Sequence, residues 1–411
     1  MKKNKIERVR SLETIKKTDS SVASFALIQF MLWASWGTFG QFYSYFLSDN
    51  GYSSSQIGIA LTSFMVAGLI GLYAWGRLCD YKRIIKPIYR LMVIMAAIGA
   101  ILFSVFVEYP IAIYVINGTI GFSWMAREAI IDSWAMGSRG IKKESYGYMR
   151  MGGSLGFALM CAFFGKLLDV YGWDLMIYAF VVMSGIDVVF ISLTKDTYDG
   201  KVTHKIINKK GAHISELLTN KPYMILLLFV FLVGVAKFMI LNFYPFVIKN
   251  VGGNQVHLGL AAALAAFVEI PVFLISSKVI KKYNPRVIFL IAAVFYFIRT
   301  FMDFVATEPY LIIGAAAFQA MGFGLILSMA RQYITRIAPV NLTTTAQTLF
   351  SASYFGLSGI VSSLLGGYII DHQGMTAFYI VSLIFVGLAI LLMLYINIFN
   401  KKLFNIETSG N

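Results

Sequence analysis

Acidic and basic residues lie inside long apolar stretches of this sequence, where each charge must be paired or must face water. A charged side chain at the centre of a bilayer costs about 3 kcal/mol on insertion scales. Burial raises the pKa of a carboxyl group and a nearby arginine lowers it again, so an acid whose arginine contact is exchanged can bind and release a proton. Two sets have this composition: Asp132 with Arg150, and Glu269 with Arg299 or Lys237. The alternative interpretation is that both are fixed ion pairs that tie helices together.

We predict that Glu269 is the proton carrier of the chain. It lies two residues before Pro271, which removes a backbone hydrogen bond and loosens the helix nearby. Arg299 and Lys237 are predicted to adjust its environment, and Asp303 is a further acid of this proton-coupling set that Arg299 is expected to hold ionised. Arg299 and Asp303 are four residues apart on one helical face, so mutual neutralisation is an open alternative for them. Lys237 has no acid three or four residues away, and it must find one on another helix or face a cavity.

The fourth apolar stretch is the most highly charged. Glu128 and Asp132 are four residues apart, hence on one face of a helix, and Arg127 lies about 100° away around it. A further acid, Asp187 in the sixth stretch, is interpreted as structural.

Aromatic and amide side chains indicate a second kind of chemistry, the binding of a polar organic solute. Trp36, Gln41 and Tyr45 are four or five residues apart and are predicted to share a helical face. Trp124 and Phe157 add ring surfaces to these hydrogen-bonding groups. Such a mixture suits sugars or nucleosides, whose hydroxyl groups and flat faces need both kinds of contact.

Twelve apolar stretches must position these residues. A bilayer core about 30 Å thick needs roughly 20 apolar residues of helix, and these stretches are too long and too uniformly apolar for barrel strands. Hydrophobic residues make up 58% of the 411 residues and charged residues 13%, as expected for a membrane protein. The predicted spans are about 21–47, 56–76, 87–107, 111–136, 147–170, 174–194, 223–249, 257–278, 286–306, 309–333, 344–370 and 375–399.

The distribution of basic residues predicts the orientation of these spans. Seven Lys and Arg residues precede the first span, whereas the predicted outer loops contain only Lys166 and Lys249. This positive-inside pattern places both termini and the loop 195–222 in the cytoplasm of a multi-pass cell-membrane protein. It also accounts for the net charge of +15, so nucleic-acid binding is not expected.

The composition argues against an enzyme. None of the four histidines lies in the middle of a span, and no His-Glu-x-x-His pattern is present, so neither a metal site nor a cofactor is expected. Cys79 and Cys161 are predicted to be unpaired thiols.

A repeat divides the spans into two sets of six. The pattern at 57–60 recurs at 258–261 with an offset of 201 residues, and the pattern at 165–172 recurs at 367–374 with an offset of 202. Two parallel repeats imply a pseudo-two-fold axis along the membrane normal and a solute site at mid-membrane between the halves. The predicted segments are a tail 1–20, a bundle 21–194, a linker 195–222, a bundle 223–399 and a tail 400–411.

The loop between the second and third spans resembles the inner-loop motif of the major facilitator superfamily. It reads Gly-Arg-Leu-Cys-Asp-Tyr-Lys-Arg-Ile-Ile-Lys from Gly76 to Lys86. The resemblance implies that Gly76 permits close helix packing. It also implies that Asp80 latches the cytoplasmic side together with the basic residues Lys82, Arg83 and Lys86.

Finer resemblances indicate one branch of this superfamily. Asp132, followed by Tyr-Gly-Tyr-Met-Arg ending at Arg150, is similar to the acid and arginine of lactose permease-like oligosaccharide symporters. Glu269 and Arg299 resemble the corresponding pair of nucleoside and phenylpropionate proton symporters, and residues 29–37 are similar to the nucleoside permeases. The solute-binding residues that follow from the resemblance and the aromatic pattern are Asp132, Arg150, Phe157, Trp36, Gln41, Trp124 and Gln319.

Three positions depart from the lactose permease pattern. Gln319 and Gly322 stand where that pattern has a histidine and a proton-carrying glutamate, and Phe157 stands where it has a tryptophan. A lactose-type proton relay is therefore not predicted to be intact.

The sequence thus predicts an all-α membrane protein with 12 transmembrane helices in two pseudo-symmetric six-helix bundles, the major facilitator fold. Its predicted function is import of a sugar or nucleoside-like solute by proton symport with alternating access, as a functional monomer in the lipid bilayer. Proton-coupled efflux of drugs or metabolites, or uptake of an aromatic carboxylate, are the open alternatives, with a membrane enzyme or sensor as a remote one. The segment 152–159 has the glycines typical of antiporters but no proline, which disfavours efflux.

Overall fold

The computed structural model describes residues 22–82, 84–138, 146–194, 214–339, 342–400 and 404, which are helical almost throughout and contain no strand. The first ten long helices, numbered α1 to α10, are Val22–Asp49, Ser54–Lys82, Lys86–Val105, Pro110–Gly137, Tyr146–Tyr171, Asp174–Leu193, Lys221–Asn242, Gln255–Lys282, Pro285–Val305 and Pro309–Ile337. A turn at 39–42 interrupts α1 before its last part, Tyr43–Asp49. Short helices Ile214–Thr219 and Tyr244–Lys249 precede and follow α7.

The last helical segment contains two irregularities. It starts as Thr343–Ser351, passes through one π-helical stretch at Ala352–Leu357, and continues as Ser358–Phe399. Gly374 breaks it with φ 81° and ψ 178°, so we number 343–373 as α11 and 375–399 as α12. That conformation is open only to glycine, which explains why the helix turns at this residue.

Ten helical segments among the described residues are long and apolar enough to cross a membrane. Helix α4 is not one of them, because polar and charged residues such as Arg127, Glu128 and Asp132 make it less apolar. Helices α11 and α12 are counted together as Thr345–Phe399. The chain is therefore a multi-pass helical protein, and the number of twelve spans remains a prediction.

The internal repeat is visible in the backbone. Four glycines in the described residues have positive φ: Gly51 at 82°, Gly172 at 79°, Gly252 at 74° and Gly374 at 81°. Gly51 and Gly252 precede α2 and α8 and are 201 residues apart, while Gly172 and Gly374 follow α5 and α11 and are 202 apart. A left-handed backbone costs an L-residue roughly 1–2 kcal/mol. Both halves therefore use glycine to make the same turns.

The helices cluster into two compact units. Tyr43–Met65 groups with the described residues from 214 onward, and the remaining described residues up to 194 form the first unit. Close contacts explain why Tyr43–Met65 belongs to the second unit. Asp371 accepts hydrogen bonds from the backbone amides of Ser54 and Ser55 at 2.9 and 2.8 Å. A Cβ on Gly58 would lie 2.3 Å from the Ser363 carbonyl oxygen. The division into predicted bundles 21–194 and 223–399 stays a prediction.

Glycines bring α1 and α5 into backbone contact within the first unit. A Cβ added to Gly152 would lie 2.4 Å from the Ala26 carbonyl oxygen, and one added to Gly156 would lie 2.4 Å from the Phe30 carbonyl oxygen. Small residues at helix interfaces allow this approach in membranes, where packing replaces the hydrophobic effect as the force between helices. Gly152 and Gly156 thus set the separation between α1 and α5, and both helices carry candidate site residues.

We expect Gly156→Ala to lower the thermal stability of the purified protein. The added methyl group must push α1 away from α5, and such overpacking typically costs about 1–3 kcal/mol. Gly185→Ala in α6 is the matched control, because no described atom lies within 4 Å of a Cβ there. Thermal melting in detergent compares the two variants. Equal melting temperatures for both would contradict the close contact.

Candidate functional site

Three helices of the first unit present aromatic and charged side chains at helical spacing. On α1, Gln29, Trp33 and Trp36 lie at positions i, i+4 and i+7. The other members lie on α4 and α5 at spacings of four and seven residues, so each helix contributes one face. We refer to these residues as the first-unit cluster: Gln29, Trp33, Trp36, Trp124, Glu128, Asp132, Arg150 and Phe157.

The charges of the first-unit cluster are held by specific partners. The Arg150 guanidinium forms an ion pair with the Glu128 carboxylate, and these side chains are 39% and 33% exposed. The amide of the buried Gln29 donates a hydrogen bond of 2.8 Å to Asp132. The ion pair therefore joins Arg150 to an acid one helical turn before the predicted partner, Asp132. Because Glu128 and Asp132 share a helical face, both carboxylates remain in the cluster.

Aromatic rings line the same cluster. Trp36 and Trp124 are stacked with ring centroids 4.3 Å apart and an interplanar angle of 23°. Trp33 meets Phe157 edge to face at 6.0 Å, and the Arg150 guanidinium lies 5.6 Å from the Trp33 ring centroid. An arginine beside indole and phenyl rings offers both hydrogen-bond donors and stacking surfaces.

The helix that carries the predicted common face of Trp36, Gln41 and Tyr45 is interrupted. That prediction assumes an unbroken helix, whereas the turn at 39–42 interrupts α1 and places Tyr45 in the separate stretch Tyr43–Asp49. The backbone amide of Gln41 donates to the Trp36 carbonyl oxygen at 3.2 Å across five residues instead of four. Gln41 is half-buried in this turn.

A buried lysine marks the second unit. Lys237 on α7 is 7% exposed, and its ammonium lies 3.9 Å from the Phe323 ring centroid and 5.1 Å from that of Tyr354. Phe238 and Phe355 lie 4.9 and 5.5 Å away. Tyr354 and Phe355 belong to the π-helical stretch of α11, an irregularity that is frequent at functional sites. Rings around an ammonium stabilise its charge through cation–π attraction.

The acid that acts on Lys237 is Glu269. Lys237 interacts electrostatically with the Glu269 carboxylate on α8, which is half-buried. This attraction favours the first of the two predicted alternatives for Lys237, an acid on another helix, over an open cavity. Arg299, in contrast, is paired with Asp303, as described next.

Arg299 and Asp303 neutralise each other, as the alternative interpretation allows. Arg299 Nε donates to Asp303 Oδ2 at 2.5 Å, and the two residues are each 1% exposed. The Arg299 guanidinium also lies 4.8 Å from the Tyr244 ring centroid. The i,i+4 spacing on α9 brings the two side chains together, so the pair needs no contribution from another helix.

We expect Asp303→Asn to destabilise the protein, because breaking a buried ion pair leaves the Arg299 charge uncompensated at a cost of about 3–5 kcal/mol. Thermal melting in detergent measures the loss. The double variant Arg299→Met with Asp303→Leu removes both charges and should recover much of the stability. A double variant as unstable as the single one would contradict this account.

Gly322 on α10 has a steric explanation. A Cβ at this position would lie 2.8 Å from the Tyr296 ring. The space that an acidic side chain would need is thus filled by Tyr296, whose hydroxyl lies 3.1 Å from that of Tyr354. Gln319, three residues earlier, is buried with 8% exposure.

The inner-loop motif is only partly described. A Cβ added to Gly76 would meet no described atom within 4 Å, so the close helix packing implied for this glycine is absent in this part of the chain. Asp80 and Lys82 are exposed, and Lys86 Nζ donates to the Ser192 carbonyl oxygen at 3.3 Å. Arg83 lies outside the described residues. The predicted latch therefore stays a prediction.

Sequence reasoning missed Glu128, Gln29 and Trp33 as members of the site. The signals were present, since Glu128 precedes Asp132 by four residues and Gln29 and Trp33 begin the stretch that resembles the nucleoside permeases. In the described residues no three His, Cys, Asp or Glu side chains converge as metal ligands.

Comparison with known proteins identifies related sequences. The profile of the MFS_1 like family matches residues 24–381. The maltose permease of Geobacillus stearothermophilus is 25% identical over 382 residues, which cover 90% of this chain and 93% of the permease. The probable 3-phenylpropionic acid transporter of Escherichia coli is 22% identical over 367 residues, covering 87% of this chain and 94% of that protein.

Solved structures show the same fold. The nucleoside transporter NupG superposes with a TM-score of 0.77 at 17% identity, over 94% of this chain and 99% of that one. A D-xylose-proton symporter superposes with a TM-score of 0.67 at 13% identity, over 97% and 99% of the two chains. These likenesses confirm the predicted fold class of an all-α membrane protein.

Proposed function

Since this chain belongs to the MFS_1 like family and is a membrane transporter, not an enzyme, we propose that it imports a sugar or a similar polar solute by proton symport. The observation that carries the proposal is the Arg150–Glu128 ion pair beside the Trp33, Trp36 and Trp124 rings. Similarity to a maltose permease supports maltose as the first solute to test.

The first-unit cluster suits a sugar for two reasons. Arg150, Glu128 and Asp132 can exchange hydrogen bonds with ring hydroxyls, because both acids accept and the guanidinium donates in a fixed fork. The half-buried Trp36, stacked on the buried Trp124, offers an aromatic surface for the C–H face of a sugar ring. Both acid side chains retain exposed surface, so a solute can displace their present partners.

The driving force is proposed to be the proton gradient, with no bound cofactor. Glu269 is half-buried and attracts the caged Lys237 electrostatically, so protonation of the acid removes this attraction and leaves the lysine free to move. Protonation of Glu269 on α8 thereby changes the force on Lys237 and hence on α7. This link supports Glu269 as the proton carrier.

A second candidate function is uptake of an aromatic carboxylate. The Arg150 guanidinium can hold a carboxylate in a bidentate way while Trp33 and Phe157 contact an aromatic ring. Similarity to a probable 3-phenylpropionic acid transporter supports this alternative. A nucleoside uses the same hydrogen-bonding and stacking groups.

Uptake into proteoliposomes decides between these solutes. Purified protein is tested with radiolabelled maltose, D-xylose, uridine and 3-phenylpropionate, with and without an imposed pH gradient, against empty vesicles. We expect maltose to accumulate when the outside is acidic. Accumulation of 3-phenylpropionate alone would establish the second function. If no solute accumulates with either direction of the pH gradient, and preloaded solute is instead extruded from the vesicles, the protein is an efflux transporter and the proposal is overturned.

We further propose that both termini and the loop 195–222 face the cytoplasm of a plasma membrane and that the monomer is the working unit. The Lys and Arg distribution supports this orientation. In a background without Cys79 and Cys161, Asn208→Cys and Asn405→Cys are expected to react with a membrane-impermeant maleimide only after cell lysis. Both positions lie outside the described residues. Glu308→Cys in a predicted outer loop is the control and should react in intact cells, and the opposite pattern would invert every loop.

A further inference from the structure

A second buried acid and arginine lie in the first unit, apart from the Arg150–Glu128 pair. Arg127 on α4 and Asp187 on α6 are both 0% exposed. Arg127 directly precedes Glu128, so its side chain leaves the helix about 100° away from that of Glu128. Neither residue has a role in the solute site or in the Glu269 site. An ionisable residue within a membrane helix is expensive and is a functional candidate until a structural partner is found.

The contacts of these two residues are incomplete. All three guanidinium nitrogens of Arg127 are buried and have no hydrogen-bond partner in the described part of the chain. Asp187 Oδ2 receives one long hydrogen bond of 3.5 Å from the Tyr89 hydroxyl, and Asp187 Oδ1 has no partner there. Arg127 and Asp187 interact electrostatically without a direct ion pair between described atoms. A charged guanidinium and an ionised carboxylate at this depth would normally be joined.

The position of Arg127 explains the separation. Its guanidinium carbon lies 3.8 Å from the centroid of the Trp124 ring, which in turn is stacked on Trp36. Cation–π attraction stabilises the observed position of Arg127 on the indole face, and an ion pair with Asp187 would stabilise a second position. In the first position Asp187 has lost its counter-ion, and a neutral carboxylic acid is the form that a buried site favours.

We propose that Asp187 is a proton-binding group, protonated while Arg127 is stacked on Trp124 and ionised when Arg127 turns toward it. In the first step a carboxylate oxygen forms an O–H bond with a proton delivered from water, and the cluster gains one positive charge. Arg127 keeps its own proton throughout. When Arg127 pairs with the carboxylate, the O–H bond breaks and the proton returns to water.

A proton fits this site better than a larger ligand. Both side chains are fully enclosed, and a proton needs no cavity. The other groups acting on Asp187 are few: Tyr89 on α3 donates to it, and Glu128 acts on Tyr89 from α4. Lys86 on α3 is occupied with the Ser192 carbonyl oxygen near the end of α6. Among the described neighbours, Arg127 is therefore the one cation that can move toward Asp187 when the carboxyl group becomes ionised.

The stack also connects this site to the solute, a step that rests on the proposed function. Trp124 is only 8% exposed, so a sugar or aromatic solute that stacks on its ring must displace Arg127 from it. Solute binding then favours the position of Arg127 on Asp187 and the release of the proton. The first unit would in this way contribute a coupling site of its own in addition to Glu269.

Infrared difference spectroscopy of the purified protein tests the proton site without any transport measurement. We expect the wild type to show a carboxylic-acid C=O band that titrates with pH and is lost in Asp187→Asn. Tyr89→Phe removes the one described hydrogen bond to the carboxylate, and it should keep the band but shift its pH midpoint by about one unit. Glu269→Gln is the comparison variant and should leave this band in place.

The results separate the two proposals. If Asp187→Asn fails to fold, the pH midpoint of the C=O band in Tyr89→Phe still tests the proposal. An unchanged midpoint in Tyr89→Phe overturns the assignment of the band to Asp187. A band that persists unchanged in folded Asp187→Asn also overturns it. The proposed function fails separately, if no solute of the panel accumulates in wild-type proteoliposomes. Where maltose is transported, Asp187→Asn is expected to lower the number of protons taken up with each maltose, measured with a trapped pH dye.

Discussion

Arg150→Ala is expected to reduce the kcat/KM of maltose uptake by about 10- to 100-fold, because hydrogen bonds to charged groups contribute about 1.5–3 kcal/mol. The guanidinium is the member of the first-unit cluster that touches both an acid and an aromatic ring, through Glu128 and Trp33. Arg150→Lys keeps the charge and loses the planar fork, so uptake should also fall, by a smaller factor. Initial rates in proteoliposomes at several maltose concentrations measure the change.

Two further variants show whether the loss of uptake in Arg150→Ala is specific to the ion pair. Glu128→Gln removes the ion pair and should by itself weaken maltose binding. In the double variant with Arg150→Ala, the loss of binding should be smaller than the sum of the two single losses, because the two residues act as a unit. Arg77→Lys is the matched control, since Arg77 is exposed and its described contact is the Tyr73 hydroxyl at 2.9 Å. Uptake by Arg150→Ala with the wild-type KM would remove Arg150 from the site.

Glu269→Gln is expected to abolish accumulation driven by a pH gradient while leaving downhill flux of maltose. Glutamine resembles the protonated acid, so the half-buried side chain keeps its hydrogen-bonding shape and can no longer release a proton. With one proton per solute, a gradient of one pH unit sustains about tenfold accumulation, and the variant should reach only the outside concentration. Accumulation and counterflow measured in one preparation provide both quantities.

Glu308→Gln serves as the control for this change, because Glu308 is exposed at the start of α10 and carries the same substitution. It should accumulate maltose like the wild type. Full accumulation in Glu269→Gln would transfer the proton site to Asp187 or Asp303, or would show that another ion drives uptake. Lys237→Met tests the contribution of the lysine: Glu269 then loses the electrostatic attraction of Lys237, and accumulation should be impaired.

Several features follow from the chain by local rules. The long apolar stretches predict helices because a bilayer leaves no other way to satisfy the backbone, and the structure shows helices at all of them in its described residues. The offset of about 200 residues between repeated patterns reappears as glycines with matching positive φ. The i,i+4 pair of Arg299 and Asp303 likewise needs only helical geometry to form. In each case the interacting groups are close in sequence or repeated in it.

Partners on different helices were decided by the tertiary structure. Two acids on one face of α4 were equivalent in the sequence, and only the packing of α1 and α5 assigns Gln29 to Asp132 and Arg150 to Glu128. The aromatic cage of Lys237 likewise depends on a π-helical stretch in α11 that no apolar periodicity reveals.

The sequence by itself determined a helical membrane protein with an internal repeat, because hydropathy and turn glycines act within single segments. Tertiary structure decided which charges meet and which stay apart, as with Arg127 on Trp124 instead of Asp187. The physical reason is that a buried charge is stabilised by whichever partner lies within a few ångströms, and that distance is set by helix packing.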